Sequence, residues 1–394
     1  MASSNPSWSS LLPLELLENI LLRIPVESLA RFKSTCKEWR ALLDDKIFIY
    51  KHLDLSHEGF IRVTDHNSYQ IINLETLSLS SLQGPSKIGS MIHCDGLLLC
   101  SIGRRCIEPI KERKLAVWNP FLGQFKRIKP SSSYTWFDIY GFGYDNVSRD
   151  NYKILRFKRE KGCEEVEIYE LKSQFWRSVD YSLAYSWCAW KSQAMSMNGN
   201  MYWIAEREND NSKTYFIQSF DFSKEVFKET CCIPFINHND WQLPGRSGLS
   251  PRLSGFGGDR LSLLAQQRSG EIQVWVTNNI VTDEVVSWSM YCNVTPDFRI
   301  LALHPTYLIH HTDRVKLWFH HTDRVKLWCS EKDDRDECIY ASVYEIGEGE
   351  VKKQVETERH GWYERVGVTK LSSAFVPSLV PVPKQEETSE GCSC

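Results

Sequence analysis

The stretch LAVWNPFLGQFKRI, Leu115 to Ile128, sets four apolar residues in a row, breaks on Asn119-Pro120 and Gly123, and resumes with Phe125 and Ile128. An apolar, aromatic run closed by turn residues and followed by an alternating run reads as strand, polar turn, strand. Five more stretches have the same form: YQIINLETLSL, VEIYELKSQFWRSV, IQSFDFSKEVFKET, IQVWVTNNIVTDEVVSWSM and YASVYEIGEGEVKKQV. With Ile72, Trp118, Tyr169, Phe220, Trp275 and Tyr344 as marks, the units stand 46, 51, 51, 55 and 69 residues apart. The aromatic residues of the second strand, Phe125, Trp176 and Phe227, keep the same 51-residue beat.

A glycine-containing apolar motif precedes several of these hairpins: CDGLLLC, YGFGYDNVSRDNYKILRF, MNGNMYWIA and GGDRLSLLA. Two more strands per unit fit there, and four strands in about 50 residues is the length of a kelch-type propeller blade. The expected fold is mainly β with a small N-terminal α module: a degenerate, kelch-like β-propeller of six blades over residues 60–383. A tandem copy explains the long last gap, because HHTDRVKLWF at 310–319 is followed at once by HHTDRVKLW at 320–328. Ten residues is an even number, so a continuous strand would keep each copied side chain on its face. The paired histidines lack a carboxylate or cysteine at ligand spacing and read as a segment duplication, not a metal site.

Ahead of the repeats, LPLELLENILLRIP, Leu12 to Pro25, is helical in pattern. At roughly 100° per residue, Leu14, Leu16, Leu17, Ile20, Leu21 and Ile24 fill an arc of about 160°, against the ~100° stripe of an ordinary core-facing helix. Glu15, Glu18, Asn19 and Arg23 take the other side. The excess apolar width implies two covered faces, one inside the chain's own fold and one against something else. Pro25 ends this helix near Ile24. VESLARFKS reads as a second short helix and CKEWRALL as a third, with Thr35 and Glu38 at capping-box spacing and Cys36, Trp39, Leu42 and Leu43 turned inward. Three such helices bury too little surface to be robust alone, so residues 10–55 are expected to lean on a partner. Residues 1–9 and 384–394 are expected to be disordered.

Net charge is −3 and the pI about 6.4. No basic field favours nucleic acid or an anionic membrane. The start MASSNPSWSS lacks the features of a secretory signal, and no run of 18 apolar residues could span a bilayer. Thirteen scattered cysteines without a CxxC pair read as reduced thiols. The ending Cys392-Ser393-Cys394 fails CaaX spacing because Gly391 stands where the cysteine would be. From these features the protein is expected in the cytoplasm and/or nucleus, with no nucleic-acid or membrane partner expected.

Leu12-Pro13, Leu16-Leu17, Ile20-Leu21, Ile24-Pro25, Ser28-Leu29, Arg31-Phe32-Lys33, Cys36-Lys37, Trp39, Phe48 and His52-Leu53 together resemble a plant-type F-box along about 45 residues. Thr35, where that family usually has valine, and Lys46, where a proline often stands, depart from the pattern without removing an anchor. Val117-Trp118-Asn119-Pro120, the box Gly141 to Asp145 followed by YKILRF, Val286-Ser287-Trp288 and FVPSLVPV (Phe375 to Val382) are similar to the F-box-associated domain that follows many plant F-boxes. The resemblance implies docking on a Skp-type adaptor, and through it a cullin, with a protein substrate held by the β domain. The implied adaptor contacts are Leu12, Pro13, Leu16, Ile20, Leu21, Pro25 and Leu29, with Trp39 in the core. FVPSLVPV is expected to complete the ring by pairing near the N-terminal blade.

No G-x-S-x-G, HExxH, Walker or reactive-cysteine signature is present, and SGFGG at 254–258 reads as a turn. Catalytic residues, metals and cofactors are therefore not expected. The expected role is a non-catalytic substrate receptor of a Skp-cullin-F-box ubiquitin ligase. A scaffold that holds adaptor and ligand without promoting degradation is the alternative. Aromatic residues are frequent interface anchors and equally at home packing between blades; on the first reading Tyr134, Trp136, Tyr185 and Trp187, in the linkers 131–140 and 181–190, are the candidate substrate contacts.

Overall fold

The computed structural model describes residues 13–383 apart from 65–67, 87, 104–113, 133, 135–137, 161–162, 180–187, 210–211, 235–250, 268, 280–285, 297–302, 311–323, 334–337, 348, 358–359 and 362–371. Trp136, Tyr185, Trp187, Leu12, the first HHTDRVKLW copy beyond His310 and both chain ends lie outside the described residues.

Four helices come first among the described residues: α1 (Leu14–Leu21), α2 (Val26–Phe32), α3 (Lys37–Leu43) and α4 (Lys46–Leu55). Three are expected from the sequence pattern; the fourth, α4, buries Phe48, Ile49, His52 and Leu53, which fall on one helical face. Asp45 starts this helix by accepting from the Phe48 amide at 3.0 Å. The expected capping box is also corrected: Cys36 is the N-cap of α3, its Sγ accepting from the Trp39 amide, while the Thr35 hydroxyl donates back to Phe32 O at 2.7 Å. Thr35 therefore closes the turn after α2 instead of opening α3.

The rest is a ring of six antiparallel sheets. Blade 1 holds Gly59–Val63, Ser68–Asn73 and Leu79–Gln83. Blade 2 is Ile88–Cys94, Leu97–Ile102, Lys114–Asn119 and Gln124–Ile128; blade 3 is Ile139–Asp145, Ser148–Glu160, Cys163–Glu170 and Trp176–Ser178. Blade 4 is Cys188–Met197, Asn200–Asn209, Ser212–Asp221 and Val226–Cys232; blade 5 is Arg252–Phe256, Arg260–Gln266, Ile272–Thr277 and Trp288–Val294. Blade 6 is Leu303–His310, Arg324–Asp333, Cys338–Gly347 and Glu350–Glu356, with the short His360–Gly361 beside its third strand.

Counted outward from the centre of the ring, with Ser372–Phe375 as the first strand of blade 1, all six sequence marks occupy the third strand of their blades. Trp118 is opposite Phe125, Tyr169 opposite Trp176, and Phe220 opposite Phe227. Directly opposed residues are the units of sheet stabilisation, which is why the 51-residue beat appears on both strands. The rings of Tyr169 and Trp176 are 5.3 Å apart, and those of Phe220 and Phe227 4.8 Å. Neighbouring blades also demand glycine: a Cβ on Gly143, in the innermost strand of blade 3, would lie 2.1 Å from Gly199 O of blade 4.

Ser372–Phe375 pairs with Gly59–Val63 and supplies the missing innermost strand of blade 1, closing the ring. Only Phe375 of FVPSLVPV belongs to that strand. Val376 to Val382 instead leaves the sheet and crosses blade 2, held by the side chains of His93, Asn119 and Gln124. The antiparallel meander puts the turns between first and second strands, and between third and fourth, on one face of the ring. The ends of the second and fourth strands point to the opposite face. Blade 6 shows the effect of the duplication: His310 pairs with Arg324, so the second copy enters the strand at Arg324 while residues 311–323 connect the two strands.

Candidate docking surface on the helical module

The module shares its core with the ring. Leu21, Val26, Leu29, Leu43, Phe48, Ile49 and Leu53 belong to one buried cluster with Leu97 and Leu99 of blade 2, Phe142 and Tyr152 of blade 3, and Leu379, Val380 and Val382 of the C-terminal segment. The partner that these small helices need is, in the first place, the chain's own propeller. His52 ties α4 to the end of α1, its Nε2 donating to Ile24 O at 2.9 Å; burial lowers its pKa.

Polar contacts fix the seat. Arg149, at the start of the second strand of blade 3, donates to Asp54 of α4 at 2.8 Å and to Asp95, in a turn of blade 2, at 2.9 and 3.1 Å. Its guanidinium lies 4.7 Å from the Tyr50 ring and 5.7 Å from that of Tyr144. Burial would lower the Arg149 pKa, but the Asp95 and Asp54 carboxylates outweigh it and hold the group above its usual range. The Tyr50 hydroxyl donates to Arg149 O at 3.2 Å, and burial pushes its pKa up to about 12. Lys46 pairs with Asp150, which also receives Lys172 at 2.9 Å. All of these ring groups flank the turns of a single face, so the module sits on that face over blades 2 and 3.

The wide arc of α1 resolves into two faces. Leu21 is buried and Leu17 and Ile24 pack partly against the core, whereas Leu14, Leu16 and Ile20 are 66%, 51% and 50% exposed. Leu16 and Ile20, four residues apart, share one helical face, and Pro13 and Pro25 at the ends of the segment are exposed too. Two of the expected contacts, Leu21 and Leu29, are 1% and 0% exposed and lie in the same buried cluster as Leu53 of α4 and Leu97 of blade 2. Leu14 replaces them on the outer surface; its place in the apolar arc was a usable signal. Trp39 packs edge-on against Phe32 at 5.0 Å, half-buried.

Of the expected substrate contacts, only Tyr134 is among the described residues, and it does not offer a surface. It is 4% exposed, its hydroxyl donates to Ile128 O at 3.1 Å, and Arg156 covers its ring at 4.8 Å. Arg156 is itself buried against Asp138 at 2.9 Å. Tyr134 thus anchors the connection between blades 2 and 3. Among the described residues, no group of three or more His, Cys, Asp or Glu side chains is placed to hold a metal ion.

Comparison with known proteins covers both parts. Residues 9–51 match the family described as F-box domain, and residues 47–382 match the F-box associated beta propeller domain. F-box protein At3g08750 of Arabidopsis thaliana is 41% identical over 404 residues, covering 97% of this chain and 100% of that protein. F-box/WD-40 repeat-containing protein 1 of the same plant is 38% identical over 409 residues, covering 96% and 90%. Among solved structures, a functionally unknown protein from Desulfotomaculum acetoxidans aligns with a TM-score of 0.40 at 9% identity, covering 82% of this chain and 99% of that one.

Proposed function

Because the chain belongs to the F-box proteins that carry an F-box-associated β-propeller domain, we propose that it is the substrate-recognition subunit of a Skp-cullin-F-box ubiquitin ligase. The observation that carries this reading is the exposed trio Leu14, Leu16 and Ile20 on a helix whose other apolar side is already buried. An apolar face left open beside proline-bounded ends fits a protein groove better than water. Pro13, Leu14, Leu16, Ile20 and Pro25 would meet the Skp-type adaptor, which in turn would hold the cullin.

The protein itself contributes no chemistry on this reading. It raises the effective concentration of substrate lysines near the charged enzyme. With the helical module occupying the face of the first turns, the substrate would use the opposite rim, where the second and fourth strands end.

Calorimetry of the full-length protein with a Skp-type adaptor tests this, beside a Leu16→Asp, Ile20→Asp double variant of unchanged circular dichroism. Tight binding by the wild type and at least a hundredfold loss in the variant, about 2.7 kcal/mol, is the expected outcome. Equal binding by both, or none by either, overturns the proposal. Adaptor binding without turnover of any captured protein in a reconstituted ligase would favour the scaffold role instead.

A further inference from the structure

We propose that Arg149 is a positioning residue: it fixes the angle between the helical module and the ring, and so the geometry in which a bound adaptor faces a bound substrate. The apolar cluster under the module supplies adhesion, but hydrophobic contact is non-directional. A guanidinium fork is directional, because planar, charge-assisted hydrogen bonds hold their partners at set angles. Arg149 is the side chain that joins Asp54 of α4, Asp95 of blade 2 and the rings of Tyr50 and Tyr144 at once.

Its own backbone belongs to blade 3, and its carbonyl accepts from Tyr50 of α4, so the contact runs in both directions across the boundary. Asp95 occupies a turn at φ 52°, followed by Gly96 at φ 78°. The Gly96 amide donates to His93 Nε2 at 2.9 Å, which pins that turn to the innermost strand of its blade. The Tyr152 hydroxyl donates to Asp95 at 3.0 Å, so the carboxylate that orients Arg149 is itself held from a second blade. Module, blade 2 and blade 3 are registered through one guanidinium.

The functional meaning rests on adaptor docking through Leu16 and Ile20, but the test is read without adaptor, so each reading can fail alone. Nitroxide labels at Glu38, exposed on α3, and at Lys224, exposed in a turn of blade 4, report the module-to-ring distance in the full chain by pulsed electron resonance. The wild type is expected to give one narrow distribution. Arg149→Ala should broaden it about twofold at an unchanged propeller unfolding midpoint, and Arg149→Lys should not restore it, since lysine lacks the fork and the stacking plane.

Asp54→Ala removes only the module's side of the contact at an exposed position. It should broaden the distribution partially, and it decides the question alone if the Arg149 variants do not fold. A distribution as narrow as wild type in the folded Arg149→Ala protein, or in Asp54→Ala when no Arg149 variant folds, overturns the assignment.

Discussion

The side-chain amide of Asn119 donates to the carbonyl oxygens of both Ser378, at 3.1 Å, and Val380, at 2.8 Å, across 259 and 261 residues of sequence. Its Oδ1 accepts from the Phe121 and Leu122 amides of its own turn, at 2.9 and 3.1 Å. One fully buried residue thus shapes a turn of blade 2 and clamps the C-terminal segment over it.

Replacing Asn119 with leucine should cost about 2–4 kcal/mol, since several backbone groups lose their partner in a site closed to water. Urea unfolding of the variant checks this. An unchanged midpoint would mean that the segment does not depend on the clamp.

His93 gives the fold a pH dependence. Its Nε2 accepts from the Gly96 and Val376 amides, which requires that nitrogen to be unprotonated, and burial lowers its pKa to about 4 from 6.5. Below pH 6.5 the unfolded chain binds the proton and the native one does not, so stability is full above 6.5 and falls as pH drops towards 4. The loss should approach about 3 kcal/mol over that window. His52 titrates in the same direction, so the difference between wild type and His93→Gln, whose amide oxygen can still accept, isolates the His93 share. Parallel stability curves for the two proteins would contradict it.

Core and surface leucines of the helical module should separate cleanly. Leu29→Ala should cost about 2–5 kcal/mol. Leu16→Ala should stay within about 0.5 kcal/mol in thermal unfolding and act on adaptor affinity. Similar destabilisation by both would place Leu16 in the core.

Gly143→Ala should open the seam between blades 3 and 4. Its new methyl group would meet Gly199 O at 2.1 Å and the Phe222 ring at 2.5 Å, where the Tyr144 amide already donates to the same carbonyl at 3.1 Å. Such overpacking against backbone should cost about 3 kcal/mol. A crystal structure of the variant with blades unmoved would refute this.

Deleting residues 311–320 should be tolerated. His310 and Arg324 end the two strands as a pair, and residues 321–323 would then form a three-residue hairpin connection, a common length. Adaptor binding and unfolding midpoint should match wild type; a large loss of stability would give the first copy a structural role.

Much of this architecture is written as local pattern. Blade number and third-strand register follow from Trp118, Tyr169, Phe220 and their neighbours because cross-strand aromatic pairs recur at a fixed spacing. The two-sided character of α1 follows from its arc of leucines. What local pattern does not carry is contact at long range. Arg149 sits in polar turn text, VSRD, with nothing to mark it as the residue that seats α4. Leu21 and Leu16 look alike on a helical wheel until α2 and α4 cover one and leave the other. Tyr134 has the residue type of an interface anchor, yet a buried Arg156–Asp138 pair holds it inside. The strand SSAF has too little hydrophobic pattern to advertise that it closes the ring.

Ring closure by Ser372–Phe375 also sets an order of events during synthesis. The helical module leaves the ribosome early, but its seat includes Leu379, Val380 and Val382, and blade 1 waits for its innermost strand. Until those residues emerge, the inner leucines of the module and the open edge of Gly59–Val63 face solvent, the kind of transient surface that invites aggregation. A ribosome stalled before residue 372 would therefore display a chain in need of a chaperone, however complete blades 2 to 6.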